Sequence, residues 1–421
     1  MAKSKEWVCD GVPKDGKDYP DCSGPHEPYE NTGPDCIICG LPREAIEPKK
    51  EKSKLGVLPL AGLAILLLIF GGGIYWFGFR DTSERAITTN SEETGNQDGT
   101  TIATARPTRE GIAHEGSVIS LAIDRQGEYL VSGSADQTIK IWDLNQNELL
   151  HTLKDHGGRI NDIAIDSKQK IVVSGSGDGT TRIWSLETGE PLNSPFPSPN
   201  GRVLSVAIAE NGQTIASATN EGQIHLWDVQ TGELKDTLQK GDDTTIINSL
   251  AVSPNNNQIL ASGRQDGTIQ IWDLSTGNET AVSPLEDNSD RVFQVAISAD
   301  GERLVSGTYD EKVRIWNLET GELERKLEFN GHDFVVSGVT FSADGETVAS
   351  AGFDEQVMVW NANTGRRLAG LRGHSGFVHT VAFSSDQSTV VSGGFDGTIR
   401  IWDWEQQQET DRLEDQTIAS Q

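Results

Sequence analysis

The chain has 421 residues, and its 63 Asp and Glu outnumber its 35 Lys and Arg to give a formal net charge of −28. Residues 111–421 carry 46 of these acidic residues and 22 of the basic ones, a net charge of −24. Nucleic acids and anionic lipid headgroups favour basic surfaces, so this composition argues against both as partners. A soluble acidic surface is the simplest interpretation, and a face for a cationic partner is the alternative.

All four cysteines lie near the start of the chain, at Cys9, Cys22, Cys36 and Cys39. Residues 1–54 contain few large apolar side chains, and so short a segment needs a staple to fold. We predict that the four cysteines hold one structural zinc ion in a small module over 1–54, with His26 as an alternative ligand. Two disulfides are the other interpretation, and they would require an oxidising compartment.

The pattern Cys36-Ile37-Ile38-Cys39-Gly40 resembles the knuckle turn of zinc ribbons, in which two thiolates bind one ion. Trp7-Val8-Cys9 resembles the start of the zinc finger of Ran-binding proteins, although the rest of that pattern does not match. The module also departs from a ribbon, because Cys9 and Cys22 are too far apart to form a second Cys-x-x-Cys.

Residues 55–79 contain no charged side chain, which predicts a transmembrane helix. Tyr75, Trp76 and Phe77 lie at its end, where interfacial aromatic residues are common. A cleaved signal peptide would be shorter and closer to the start of the chain. Basic residues are more numerous before this span than after it, so the positive-inside rule places the N-terminus in the cytoplasm and residues 112–416 outside it.

Residues 80–111 are rich in Ser, Thr, Glu, Asn and Gly, which predicts a flexible linker. Two segments are candidates for the outer strand of the last repeat in the domain that follows the linker. One is Thr100 to Ala105 in the linker, and the other is Glu409 to Leu413 near the C-terminus. The second keeps the spacing of the other outer strands and is the preferred prediction, followed by a short tail over 417–421.

A tryptophan recurs every 42–45 residues through the rest of the chain, at Trp142, Trp184, Trp227, Trp272, Trp316, Trp360 and Trp402. Each closes a similar phrase, such as "LVSGSADQTIKIWDL" and "VVSGGFDGTIRIWDW". Alternating apolar residues within each phrase predict strands, and Gly and Asp mark the turns between them. A unit of this length that ends in Trp-Asp is typical of a four-stranded propeller blade.

Over residues 112–416 the chain resembles the WD-repeat family, which implies an all-β fold with seven blades. In that family a His, a Ser, an Asp and the Trp of one repeat form a buried hydrogen-bonded tetrad. Four repeats carry all four residues: His114/Ser132/Asp136/Trp142, His156/Ser174/Asp178/Trp184, His332/Ser350/Asp354/Trp360 and His374/Ser392/Asp396/Trp402. The three middle repeats lack the His, having Pro199, Asp243 and Asn288 in its place, and Glu221 replaces one Asp. We expect these three blades to be the less stable side of the ring.

The recurring Ser, His and Asp could suggest a hydrolase, but a hydrolase needs one exposed nucleophile with an oxyanion hole. Here the same set occurs four times, and each Ser is assigned to its Trp. The sequence therefore predicts no catalytic site and no cofactor in the propeller.

Aromatic residues cluster in the last three repeats, at positions that the resemblance places on one face of the ring. These candidate partner-binding residues are Phe293, Tyr309, Phe334, Phe353, Phe377, His379 and Phe395. Exposed aromatic side chains provide anchors for protein partners, although the same rings could instead pack over the blade edges. We predict a membrane-anchored, non-enzymatic scaffold or assembly factor. The alternative is a transmembrane sensor whose propeller binds a small ligand or ion and signals through the zinc module.

Overall fold

The computed structural model describes residues 7–9, 29–31, 104–105 and 109–404, apart from 147, 200, 210–211, 239–242, 255–257, 287–289 and 329–330. For 7–9, 29–31, 104–105 and 109–112 it describes the backbone alone. Cys22, Cys36, Cys39, Asn288, the span 55–79 and the tail 417–421 lie outside the described residues. Within the described part of the chain, no helix is long and apolar enough to cross a membrane.

The chain divides into two units, Met1–Gly95 and Asn96–Gln421. In the first unit β1 (Trp7–Cys9) pairs antiparallel with β2 (Tyr29–Asn31), and Cys9 lies opposite Tyr29. The second unit begins its described strands with β3 (Thr104–Ala105) and β4 (Arg109–Ile112).

The remaining strands of the second unit form seven antiparallel sheets. The first strands of the sheets are β5 (Val118–Ile123), β9 (Ile160–Asp166), β13 (Val203–Ile208), β17 (Ile247–Val252), β21 (Val292–Ile297), β25 (Val336–Phe341) and β29 (Val378–Phe383). The second strands are β6 (Tyr129–Ser134), β10 (Ile171–Ser176), β14 (Thr214–Thr219), β18 (Ile259–Arg264), β22 (Arg303–Thr308), β26 (Thr347–Gly352) and β30 (Thr389–Gly394).

The third strand of each sheet carries the recurring tryptophan, and the fourth forms its outer edge. The third strands are β7 (Ile139–Asp143), β11 (Thr180–Ser185), β15 (Ile224–Asp228), β19 (Ile269–Asp273), β23 (Val313–Asn317), β27 (Gln356–Asn361) and β31 (Thr398–Asp403). The fourth strands of the first six sheets are β8 (Glu148–Leu153), β12 (Phe196–Pro197), β16 (Leu234–Leu238), β20 (Asn278–Glu279), β24 (Leu323–Leu327) and β28 (Arg367–Arg372).

The first strands are the innermost, and they contact one another in a closed cycle that returns from β29 to β5. The sheets are therefore the blades of a seven-bladed propeller, here numbered 1 to 7 in chain order, and this prediction is confirmed.

Blade 7 is completed from the N-terminal side of the domain. Strand β4 pairs antiparallel with β31, with Ile112 opposite Thr398 and Arg109 opposite Ile401. The preferred closing segment, Glu409 to Leu413, is therefore wrong, because β4 occupies the edge of β31 that it would need. Strand β3 adds in parallel to β28, with Ala105 opposite Leu371, so blade 6 has five strands. The end of the predicted flexible linker thus belongs to the ring.

The hydrophobic core lies between neighbouring blades. Ile139 and Ile141 of blade 1, for example, pack with Ile160 and Trp184 of blade 2. The blades approach closely at the glycine of each Ser-Gly pair in a second strand. A Cβ at Gly133 would lie 2.6 Å from Ile160 Cγ2, too close for any larger residue without movement of the neighbouring blade.

A second set of contacts joins the inner strands around the central channel. In six of the seven blades, the side chain at one register accepts a hydrogen bond from a backbone N–H of the next blade. The bonds are Leu121 N to Thr380 Oγ1, Ile163 N to Ser120 Oγ, Val206 N to Asp162 Oδ2, Leu250 N to Ser205 Oγ, Val295 N to Ser249 Oγ and Val339 N to Gln294 Oε1. Blade 6 has Gly338 at this register. Because glycine has no side chain, blade 6 offers no side-chain acceptor to blade 7.

The four predicted tetrads are brought together as hydrogen-bonded chains. In blade 7, Trp402 Nε1 donates to Ser392 Oγ at 2.8 Å, and Ser392 Oγ lies 2.8 Å from His374 Nε2. His374 Nδ1 is 3.1 Å from the carboxylate of Asp396. Burial alone would raise the pKa of Asp396, but hydrogen bonds from His374 and Thr398 outweigh it and lower that pKa. The corresponding residues in blades 1, 2 and 6 form the same chain.

The middle blades keep the bond from Trp to Ser but replace the rest of the chain. In blade 4, buried Arg264 pairs with Asp243, the residue in the place of the His. In blade 5, buried Arg314 pairs with Asp310, with 2.6 Å between Nη2 and Oδ2. In blade 3, buried His225 lies edge-on to Trp227 and contacts Thr237 Oγ1. The three middle blades thus contain buried polar side chains with contacts of their own, in blades that lack the tetrad His.

Trp402→Phe should lower the free energy of unfolding by about 1–3 kcal/mol in addition to its packing loss, because it removes the first donor of a buried chain. Trp272→Phe should lower the free energy of unfolding by less, because Ser262 in blade 4 has no His partner whose hydrogen bond would also be disturbed. Denaturant melts of the two variants and the wild type measure the difference. Equal losses would contradict a stabilising role for the His and Asp of the tetrad.

Candidate partner-binding face

One face of the ring is defined by a hydrogen bond that recurs in all seven blades. The residue just before the tight turn, the pre-turn position, donates its N–H to the residue that enters the first strand, the entry position. The seven pairs are Ala135 and Ser117, Gly177 and Arg159, Asn220 and Arg202, Gln265 and Ile246, Tyr309 and Arg291, Phe353 and Val335, and Phe395 and Phe377. We call the surface that carries these pairs the entry face.

A third position of each blade, the bulge position, also lies at this face. Every first strand has a bulge after its first residue, and the bulged residues are Ile119, Asn161, Leu204, Asn248, Phe293, Ser337 and His379. Their polar side chains reach the next blade, as when Asn161 Nδ2 donates to Val203 O at 2.7 Å. The bulge therefore turns one side chain per blade towards the inner end of the entry face.

The predicted aromatic residues lie together on blades 5 to 7 of this face. Phe293 stacks on Tyr309 with 6.3 Å between ring centroids and meets Phe353 edge-on at 6.0 Å. Phe353 in turn stacks on Phe377 at 4.7 Å, and Phe377 contacts Phe395 at 6.3 Å. These five rings form one continuous row. Together with Phe334 and His379 they are called the aromatic arc.

The members of the aromatic arc differ in exposure. Phe353 was expected to be exposed and is instead buried, with 5% of its surface accessible, because rings on both sides and His379 cover it. Tyr309, Phe377 and Phe395 are half-buried. Phe334 is 44% exposed and is the largest apolar side chain that the arc offers to solvent. The seven residues thus range from buried to exposed.

His379 lies at the inner end of the arc, 5.8 Å from Phe353 between ring centroids. Burial lowers the pKa of His379 to about 4, and the charges of Arg159 and His374 act in the same direction. Asp396 opposes them without reversing the shift. The imidazole is therefore neutral at pH 7 and adds to the apolar character of the arc.

Three arginines of the entry face were not among the predicted site residues. Arg159, Arg202 and Arg291 occupy the same entry position in blades 2, 3 and 5. The guanidinium of Arg291 lies over the ring of Tyr309, 5.1 Å from its centroid. The repeat alignment carries the signal for them, because they correspond to Phe377 in blade 7.

The described residues contain no cluster of His, Cys, Asp or Glu that could hold a metal ion. Away from the entry face, a cavity of about 100 Å³ lies among the turns after the first strands of blades 1 to 4. Arg125, Asp166 and Lys168 are its charged lining residues, and Ile165 and Ile208 are among the apolar ones. Its volume is small compared with the several hundred Å³ of sites for larger organic ligands.

Comparison with known protein families agrees with this geometry. The family described as "WD domain, G-beta repeat" matches seven times, at residues 105–143, 147–185, 189–228, 232–273, 280–317, 323–361 and 365–403. The chain belongs to this family, whose propellers are typically protein-interaction scaffolds without enzymatic activity. No curated protein matches the chain.

The free energy of unfolding should fall as the pH is lowered from about 6.5 to 4. The pKa of His379 is lower in the folded state than in the unfolded chain, so acid favours the unfolded state across this window. The contribution of His379 is at most about 3 kcal/mol. His379→Asn should flatten the pH dependence in part, since burial also lowers the pKa of His114 and His225. Denaturant melts at several pH values provide the measurement, and an unchanged slope would contradict the assignment.

Proposed function

We propose that this protein is a single-pass membrane protein that presents its propeller outside the cytoplasm as a non-enzymatic scaffold or assembly factor. The aromatic arc is its docking site for a protein partner. The observation that carries this proposal is the continuous row of rings on blades 5 to 7, together with exposed Phe334, which directly precedes the Val335 that accepts a hydrogen bond from Phe353 N. A rigid apolar surface with an exposed aromatic residue provides an anchor at little cost in conformational entropy.

A non-enzymatic role is supported by the state of the candidate nucleophiles. Ser392 Oγ is buried and bonded to both Trp402 and His374, and Ser132, Ser174 and Ser350 are held in the same way. A serine in this environment is not accessible to a substrate, and the His beside it already contacts both Ser and Asp for a structural purpose. The recurring Ser, His and Asp of the repeats thus form hydrogen bonds inside the blades.

Replacement of Phe334 tests the docking site. In the full-length protein, a photo-crosslinking amino acid at position 334 should give a discrete crosslinked product with the partner. Phe334→Ser should reduce recovery of that partner from solubilised membranes by about 10-fold, because one central aromatic anchor is worth about 1–2 kcal/mol or more.

Leu192→Ser is the matched control, because Leu192 is 50% exposed on the outer side of blade 2 and its loss removes a similar apolar surface. Melting temperatures should be unchanged in both variants. Equal recovery by the two variants would show that the partner docks elsewhere.

The membrane anchor and the zinc module are proposed from the sequence. The uncharged run 55–79 is long enough to span a bilayer, and the basic residues before it favour a cytoplasmic N-terminus. Thiolates persist in the cytoplasm, which favours zinc over disulfides for Cys9, Cys22, Cys36 and Cys39. The acidic ring supports a protein partner and argues against nucleic acid.

Thiol labelling tests topology and metal together, since the only four cysteines of the chain lie ahead of the proposed span. A membrane-impermeant maleimide should leave intact cells unlabelled. It should react in permeabilised cells after a chelator is added, because zinc-bound thiolates are protected. Labelling of intact cells would reverse the orientation. Labelling of permeabilised cells without a chelator would refute the zinc site, and a requirement for reductant would indicate disulfides.

A second candidate function is a transmembrane sensor. The feature that favours it is the cavity of about 100 Å³ beside Arg125 and Lys168, which has room for a small ion. The scaffold remains the better-supported proposal, because the aromatic arc covers three blades whereas the cavity is small.

A further inference from the structure

The inner part of the entry face differs in charge from the rest of the ring. Three positions per blade form this inner part: the pre-turn, entry and bulge positions. In the seven blades, all of them described, none of these positions holds a carboxylate, whereas residues 111–421 as a whole carry 46 Asp and Glu. The charged side chains that they do hold are Arg159, Arg202 and Arg291.

Two of these arginines adjoin the aromatic arc. Arg291 lies over Tyr309 at the blade 5 end of the arc. Its Nε atom is buried and has no hydrogen-bond partner among the described residues. Arg159 is close enough to His379, at the inner end of the arc, for its charge to contribute to the lowered pKa of that histidine. The aromatic surface is therefore bordered by positive charge on two sides.

Five of the seven tight-turn acids are engaged within their own blades, and the other two, Glu221 and Asp266, lie on blades 3 and 4, outside the blades that carry the aromatic arc. Asp136, Asp178, Asp354 and Asp396 are engaged by the His of their own tetrads. Asp310 is engaged by Arg314 within blade 5. Half-buried guanidinium groups beside apolar rings favour an anionic ligand, because a carboxylate can accept charge-assisted hydrogen bonds where water has limited access.

We propose that the occupant of the entry face is an acidic peptide segment of a separate protein. Its carboxylates bind Arg159, Arg202 and Arg291, and one of its apolar side chains packs against the aromatic arc beside Phe334. This proposal rests on the docking function proposed above and adds the chemistry of the partner. It also gives the acidic outer surface a role, since that surface repels the same peptide from every other part of the ring.

The test uses the full-length protein in detergent and a short fluorescent peptide of Glu and Ser residues with one central Leu. Matched peptides carry Gln or Lys in place of every Glu. The Glu peptide should bind at low salt at least about 10-fold more tightly than the other two, and its affinity should fall as salt is raised. Arg159→Gln, Arg202→Gln and Arg291→Gln should each weaken binding about 5-fold or more.

Arg325→Gln is the control, because Arg325 is exposed on the fourth strand of blade 5 and its loss changes the net charge equally. This variant should bind the Glu peptide like the wild type. Equal binding of the Glu and Gln peptides, no binding of the Glu peptide, or equal effects of all four substitutions would overturn the proposal. The crosslink at position 334 would still report whether the docking function itself holds.

The C-terminal residues 405–421 of this chain are themselves acidic and are the competing occupant. A chain that ends at Trp404 should bind the Glu peptide with unchanged affinity. Tighter binding by the shortened chain would overturn the assignment to a separate protein and give the site to the chain's own C-terminus.

Discussion

The ring depends on a single junction, the pairing of β4 with β31. A blade has two apolar faces, and neither can be buried unless a neighbouring blade lies against it. Every interface is therefore complete only when blade 7 meets blade 1. That meeting is sealed in two ways: β4 supplies the missing outer strand, and Val118 of blade 1 packs with Val391 and Ile399 of blade 7. Because β4 precedes β5 directly in the chain, blades 7 and 1 are also joined covalently.

Polar networks satisfy the buried hydrogen-bonding groups of this closed ring, whereas apolar contacts between blades form its core. The tetrads satisfy buried indole N–H groups inside the blades, and the inner register of Ser, Asp, Gln and Thr satisfies backbone N–H groups between them. Both would be costly if left unpaired. Asp162 shows both the cost of burial and its compensation. Burial raises its pKa, and the carboxyl group accepts hydrogen bonds from Ser120, Ser205 and two backbone groups. Its carboxyl group links three successive blades.

The sequence was sufficient to predict the fold because the repeat is a local signal. Each Trp, second-strand Ser and tight turn repeats at nearly the same spacing, so seven weak patterns support one another. The closing strand was mispredicted for the opposite reason. Its identity depends on pairing between residues nearly three hundred positions apart. Neither of the two segments considered supplies it, since Thr104 and Ala105 pair with β28 of blade 6 and the closing strand begins at Arg109. Sequence spacing alone does not identify such a strand.

The candidate site could be predicted only in part, because the sequence indicates the face on which a residue lies but not its exposure. Repeat alignment placed the aromatic residues on one face, which is where the structure has them. Exposure could not be inferred in this way, because it depends on rings from neighbouring blades, and Phe353 is covered by Phe293 and Phe377. The ion pairs of Arg264 with Asp243 and of Arg314 with Asp310 could not be inferred from the missing His either, because they depend on where side chains of other segments lie in the folded blade.

The division of the aromatic arc into buried and exposed members has a functional consequence. A row of rings that pack on one another is held rigid by the fold, so its outermost members lose little conformational freedom when a partner binds. In the proposed docking site, Phe353 acts indirectly, by packing against Phe293 and Phe377. The residues proposed to contact the partner are Phe334 and the edges of Tyr309 and Phe395. The same burial that removes Phe353 from the interface thus makes its neighbours better anchors, and a binding surface and a stable blade interface are compatible in one set of residues.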